Sequence, residues 1–229
     1  MTRYEMYLPK SSVASAVCEE FNQLGDLIWK LPSFLTFQRD IERKKLDAYF
    51  PEWMPGSDKM RALRATFEGS KLDLEFPRFL NQTGVLLSIA LYEARFIQSV
   101  NSICRPSKPT DALKASWDVL GHYGFTKEQL RFAQQVDVAL QVRHSLIHFS
   151  GYIDRLRKRD ELKLAIEKKH YLQEWQKEQG SEDETAWLAI EPDTGGDRLV
   201  ISHTYSFGIC ALLRDNLCDL IDKLDAQMS

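Results

Sequence analysis

The chain of 229 residues has 44% hydrophobic and 28% charged side chains, a composition typical of a folded protein of one domain or slightly more. Thirty basic and thirty-three acidic side chains give a net charge of −3, so a nucleic acid would have to be bound by a local basic patch. The four cysteines form no CxxC pair, which favours free thiols in a reducing compartment and predicts a cytoplasmic protein.

Neither a targeting signal nor a membrane span is expected. The first ten residues contain an acidic side chain and no apolar run, unlike a secretory signal. The longest apolar stretch, 85–92, is interrupted by Ser88 and is far shorter than the roughly 20 residues of a membrane helix. Because GxxxxGK[ST] and GxGxxG motifs are missing, no nucleotide cofactor is predicted.

Helical periodicity dominates the first third of the chain. Apolar side chains recur at steps of three and four over residues 11–31, and Pro32 is expected to end or bend this helix. Further helices are predicted over residues 34–49 and 60–67, separated by a segment rich in proline and glycine. We predict that residues 1–75 form N-terminal accessory helices.

The main helical domain is predicted over residues 76–229. Its segment 154–180 is strongly charged and is expected to form a solvated helical insertion. A Gly-Gly turn between two runs of β-forming residues predicts a hairpin before the last helix. The fold class is therefore all-α, a helical bundle with a small β-hairpin. A TKEQ capping box at residues 126–129 predicts the start of a helix. The predicted helices of this domain cover residues 79–103, 110–123, 126–150 and 206–226.

Two charged side chains interrupt apolar stripes of predicted helices. Burying a lone charge is costly, so each needs a partner or a hydrated cleft. We expect either that Glu93 and Arg143 meet, that both line a groove, or that each pairs with a nearer neighbour. At about 100° per residue, the stripes are Leu86, Ala90, Glu93 and Ile97 on the first helix and Val136, Leu140, Arg143 and Ile147 on the second.

The segment QVRHSLIHFSG places Arg143 five residues before His148 at the end of a predicted helix. A guanidinium donates forked hydrogen bonds to phosphate oxygens, and an imidazole exchanges protons near neutral pH. Five residues turn a helix by about 140°, so the two side chains converge only through the length of Arg143 or a loosened last turn. His144 lies one turn before His148 on the same face and offers a second imidazole.

This segment resembles the HEPN superfamily, a group of all-helical domains whose ribonuclease members carry an RxxxxH motif near the end of a late helix, often followed by glycine. The matching residues are Arg143, His148 and Gly151. Glu93 on the preceding long helix and the hairpin before the final helix extend the resemblance over about residues 77–226.

The chain departs from the HEPN pattern at two positions. Many family members have Asn or Asp directly after the arginine, where this chain has His144. Members controlled by a nucleotidyltransferase partner carry a tyrosine two residues after the histidine, where this chain has Ser150, and Tyr152 is out of place for that role.

The resemblance implies a metal-independent endoribonuclease that cleaves RNA by attack of the ribose 2′-hydroxyl, in a toxin or phage-defence setting. His148 would transfer protons, Arg143 would hold the phosphorane oxygens, Glu93 would orient either one, and His144 would be a second proton carrier. The implied partners are RNA, a second copy of the chain related by a two-fold axis, and an antitoxin or regulatory protein. No metal or cofactor is implied.

A basic cluster follows the motif and is expected to bind the RNA backbone. Tyr171 and Trp175 are candidates for stacking on bases, or for anchoring the insertion to the body. The plain alternative for the whole segment is a solvated helix face. The cluster consists of Arg155, Arg157, Lys158 and Arg159.

Two other functions remain open. In a non-catalytic HEPN-like module for nucleic-acid binding or dimerisation, Arg143 would be a structural ion and His148 a cation that favours the helix C-terminus. In a metal-binding bundle, His144 and His148 at i and i+4 would hold zinc, although Ser145 stands where the HExxH motif requires glutamate. Further ligands would have to come from His122, His170 or His203.

Overall fold

The computed structural model describes residues 7–51, 53–173 and 187–228 and confirms an all-α fold with a small hairpin before the last helix. A π-helical turn, Lys71–Glu75, joins the second helix to the third, and a short 3-10 turn, Lys127–Gln129, precedes the fifth. The helices are α1 (Ser12–Tyr49), α2 (Ser57–Ser70), α3 (Phe76–Cys104), α4 (Leu113–His122), α5 (Ala133–Phe149), α6 (Arg159–Glu167) and α7 (His203–Met228). The antiparallel strands are β1 (Leu188–Asp193) and β2 (Gly196–Ile201).

The core is built around α7, which is buried on most of its circumference between Tyr205 and Leu224. The first half of α1 packs on it through side chains that include Phe21 and Ile28, and α3 packs on it through its own buried stripe. The first half of α1 therefore shares this core with α3 and α7. None of the described helices is long and apolar enough to cross a bilayer.

Three helix boundaries differ from those predicted. Pro32 does not end the first helix, because α1 continues through it to Tyr49. A proline removes one N–H donor from the helix, a loss that an exposed position tolerates. The capping box of Thr126 and Gln129 is present, but it opens only the 3-10 turn, and α5 begins at Ala133 after the left-handed Phe132. In the charged segment, α6 covers 159–167, and residues 174–180 lie outside the described part.

Asp222 of α7 fastens the start of the chain to the core. Its carboxylate accepts hydrogen bonds from the Tyr7 hydroxyl at 2.7 Å and from the backbone N–H groups of Lys10 and Ser11 at 2.8 and 2.9 Å. Burial raises the pKa of Asp222, but these donors lower it more, so the pKa lies below its ordinary value of 3.8. The ionised carboxylate therefore stabilises the fold.

We expect Asp222→Ala to lower the free energy of unfolding by about 3 kcal/mol, because hydrogen bonds to a buried charge are lost and their donors are left unpaired. Urea denaturation at pH 7 measures this loss. Since folding lowers the pKa of Asp222, the difference between wild type and variant should shrink as the pH falls below about 4. Asp26→Asn, on an exposed position of α1, is the matched control and should leave stability unchanged.

Candidate functional site

The RHSLIH motif, residues 143–148, lies on α5, a helix with one face buried in the core and another exposed to solvent. Val138, Val142 and Leu146 point into the core, whereas His144 and His148 are exposed. This division follows from helical spacing, because residues four apart lie on the same side of a helix. The two imidazoles are thus presented to solvent by a helix whose other side is fixed in the core.

A glycine terminates α5 directly after the motif, as the sequence predicts. The helix ends at Phe149, and Ser150 and Gly151 adopt left-handed conformations with φ of 54° and 87°. The Gly151 N–H donates to the carbonyl of Ser145 at 3.1 Å, which closes the last turn. The Gly151 carbonyl accepts from the N–H of Leu199 at 2.9 Å, so the end of α5 is fastened to β2.

Glu93 and Arg143 meet, which selects one of the three arrangements that the sequence left open. Nη2 of Arg143 on α5 donates to Oε2 of Glu93 on α3 at 3.1 Å. The arginine side chain is 34% exposed and the glutamate side chain is 24% exposed. The pair therefore lies at the surface, where the carboxylate holds the guanidinium in place while one side of it stays open to solvent.

The apolar stripe through Glu93 is not the core face of α3, whereas the stripe through Arg143 includes the buried Val136 of α5. The core face of α3 is formed by Val85, Ile89, Tyr92 and Phe96. The stripe through Glu93 is rotated by about 100° from that face. Its residues are half-buried or exposed, and Ile147 beside Arg143 is 49% exposed. A partly exposed apolar surface therefore surrounds the ion pair.

His144 and His148 lie against each other, with ring centroids 4.5 Å apart, and both rings are about 6 Å from that of Phe149. Because α5 is regular up to Phe149, the loosened last turn is not observed. Arg143 and His148 remain about 140° apart around the helix, and no contact joins them in the described residues. One chain therefore supplies two adjacent imidazoles and, on a neighbouring face, an oriented guanidinium.

An open cleft of about 590 Å³ lies beside His144. His144 and Gln141 of α5 form part of one wall, and Arg157 and Lys158 are on the segment that leads into α6. The cleft also contains two carboxylates, but each is paired with a lysine: Asp137 with Lys127 at 3.5 Å and Glu161 with Lys158 at 2.8 Å.

In the described part of the chain, two members of the basic cluster have ion-pair partners and two do not. Lys158 pairs with Glu161, and Arg159 pairs with Asp160 at 2.9 Å. Arg155 and Arg157 are exposed and have no ion pair within residues 7–51, 53–173 and 187–228. These two guanidiniums are therefore available to an external anion.

The structure adds Gln141 and Lys127 to the residues that the sequence predicts for this region. The buried Oε1 of Gln141 has no hydrogen-bond donor in the described part of the chain, and Gln141 is one of the residues that line the cleft. In the sequence, the one indication that Gln141 lies near the site is its position three residues before His144, on the same side of the helix. Lys127 is part of the TKEQ capping box, a local motif that does not predict which distant residues Lys127 approaches.

Tyr171 serves as an anchor, the second of the two roles considered for it. It is 4% exposed and its ring lies 5.9 Å from that of Tyr205, so it is not available to stack on a base. Trp175 lies outside the described residues. His144 and His148 have no third metal-ligating neighbour among the residues that are described. His203 instead contacts Trp29, with ring centroids 5.8 Å apart and the ring planes tilted by 39°.

Comparisons of the chain with protein-family models, curated proteins and solved structures give no match.

Proposed function

We propose that the protein is a metal-independent endoribonuclease of HEPN type that acts as a homodimer. The observation that carries the proposal is the exposed pair of His144 and His148, on the same helix as a guanidinium that Glu93 holds at the surface. Imidazoles for proton transfer and a fixed cation for a phosphorane are the groups that this reaction requires without a metal.

In the proposed reaction, the ribose 2′-oxygen attacks the adjacent phosphorus, and one imidazole accepts the proton of the 2′-hydroxyl. A second imidazole, in its protonated form, donates a proton to the departing 5′-oxygen. The P–O5′ bond breaks, leaving a 2′,3′-cyclic phosphate and a 5′-hydroxyl. Arg143 would donate hydrogen bonds to the non-bridging oxygens as negative charge develops on them.

A second copy is part of the proposal because Arg143 and His148 lie on different sides of α5 in one chain. A two-fold axis beside α5 would bring His148 of one copy towards Arg143 of the other, since an isologous contact places the same patch on both sides. Ile147, which is nearly half exposed on α5, is an apolar side chain that this contact would cover.

RNA would be bound through its phosphates by Arg155 and Arg157, the members of the basic cluster that have no ion pair in the described residues. Such contacts make affinity depend on salt and little on base sequence. The setting that the resemblance implies is a toxin or phage-defence effector in the cytoplasm, with an antitoxin or regulatory protein as a further partner.

The test is incubation of the purified protein with single-stranded RNA of mixed sequence in the presence of EDTA. We expect shortening of the RNA at a rate that EDTA does not change. RNA that stays intact at high protein concentration would contradict the nuclease proposal.

A non-catalytic HEPN-like module is the second candidate, because Arg143 already has its charge balanced by Glu93. This module would bind RNA in a mobility-shift assay and leave it intact. The same incubation with EDTA therefore separates the two functions.

A further inference from the structure

Residues 31–75 form a helical arm that extends beyond the core. The arm comprises the second half of α1, the connection to α2, α2 itself and the π-helical turn. The last buried residue of α1 is Ile28, so the helix continues for about 30 Å beyond the core. Among the described residues of the arm, only Ser57 and Leu72 are buried.

The two helices of the arm are joined by ion pairs across their contact. Arg39 of α1 pairs with Asp73 of the π-helical turn, and Asp47 of α1 pairs with Arg61 of α2. Surface ion pairs of this kind contribute little free energy, typically below about 1 kcal/mol each. These two ion pairs therefore do not explain why the arm carries many large apolar side chains.

Large apolar side chains point outward from the arm. Phe37 is 66% exposed, Trp53 is 80% exposed and Leu63 is 69% exposed. The exposed apolar side chains on α1 and α2 share one side of each helix. On α1, Phe34, Phe37 and the half-buried Ile41 lie within about 60° of each other, and Met60, Leu63 and Phe67 on α2 span a similar angle. Each helix thus presents an outward apolar stripe, the pattern by which helices pack on other helices.

The apolar surface of the arm is large enough for a stable interface. Eight of its large apolar side chains are more than half exposed. With roughly 100 Å² of exposed surface each, they total on the order of 800 Å². This sum is close to the roughly 800 Å² that each partner contributes to a standard protein interface.

The charge of the arm indicates what covers this surface. Residues 31–75 contain eight basic and eight acidic side chains, so their net charge is zero. An anionic membrane or a nucleic acid would be bound by a surplus of lysine and arginine, which the arm does not have. A neutral surface of mixed charges can meet an identical surface without net repulsion.

We infer that a second copy of the chain covers the arm, and that the two helical hairpins pack into a four-helix bundle around a two-fold axis. Bundles of this kind bury apolar stripes from each of their helices. The contact is isologous, so the same stripes are buried on both copies. Only the consequence for catalysis rests on the proposed function: the arms would hold together the dimer that brings two copies of α5 into contact.

The test is sedimentation equilibrium of the full chain without RNA. We expect the wild type to be a dimer at micromolar concentration. Phe37→Glu and Phe67→Glu, made separately, are expected to weaken the dimer by roughly 100-fold, because each buries a charge in an apolar interface. Leu164→Glu on α6, an exposed leucine outside the arm, is the matched control and should leave the dimer unchanged. Circular dichroism checks that all variants stay folded.

A wild type that is monomeric at about 100 μM, or arm variants that dimerise as tightly as the wild type, would overturn the inference. Because the measurement contains no RNA, it is independent of cleavage. A dimer that depends on the arm but does not cleave RNA would support the arm contact and contradict the nuclease. If the wild type cleaves RNA but the arm variants dimerise as tightly as the wild type, the nuclease is supported and the arm contact is contradicted.

Discussion

Replacing His148 with alanine is expected to reduce the rate of RNA cleavage by about 10²–10⁴-fold, the usual contribution of a positioned acid or base. The side chain is exposed at the end of α5 and makes no contribution to the core, so the variant should keep the stability of the wild type. Single-turnover cleavage of a labelled RNA in EDTA, together with urea denaturation, measures both quantities on the same preparation.

His144→Ala separates the roles of the two imidazoles. The rings lie 4.5 Å apart, close enough for both to contact one substrate. If both imidazoles transfer protons in the reaction, either substitution should slow it. The control is His122→Ala, since His122 is exposed at the end of α4, where its Nδ1–H donates to the carbonyl of Asp118 at 2.7 Å. Cleavage by His148→Ala at the wild-type rate would exclude His148 from the chemistry.

Arg143→Ala is expected to reduce the cleavage rate by about 10²–10³-fold, because it removes a cation from the developing phosphorane. The cost in stability should be below about 1 kcal/mol, since its ion pair with Glu93 is partly exposed. This combination of a large kinetic effect and a small effect on folding distinguishes a catalytic arginine from a structural ion. Stopped-flow cleavage and thermal unfolding are the two readouts.

Glu93→Gln tests whether the carboxylate positions Arg143. The amide keeps the shape of the side chain but weakens its hold on the guanidinium, so we expect a smaller loss, of about 10-fold, and mainly in kcat. Arg143→Lys keeps the charge and loses the forked geometry, and it should recover only part of the activity. If Arg143→Ala unfolds the protein and Arg143→Lys is fully active, the arginine is a structural ion.

Most of the fold could be predicted from periodicity and breakers. The hairpin follows from a Gly-Gly turn between β-forming runs, and the end of α5 follows from Gly151, whose positive φ favours glycine. The sequence left open whether Pro32 ends or bends the first helix, because proline disfavours a helix interior but can be accommodated at an exposed position. Local propensity was overruled there by the rest of the helix.

The candidate site was less predictable than the fold. Residues 85–92 of α3 are apolar on nearly all sides, so the sequence pattern could not distinguish the core face through Val85 and Ile89 from the surface stripe through Glu93. The contact of Glu93 with Arg143 depends on which helices pack together, and this information is tertiary. The cleft joins Lys127, His144 and Arg157, whose proximity also depends on packing.

The central claim is that RNA is cleaved by its own 2′-hydroxyl with the help of the α5 motif. The most direct measurement uses an oligonucleotide with one ribose in an otherwise 2′-deoxy strand, incubated with the wild-type protein in EDTA, with the product ends identified by mass spectrometry. We expect cleavage only after the ribose, leaving a 2′,3′-cyclic phosphate and a 5′-hydroxyl, and formation of the same products about 10²–10⁴-fold more slowly by His148→Ala. Equal cleavage of the all-deoxy strand, 5′-phosphate ends, or loss of activity in EDTA would contradict it.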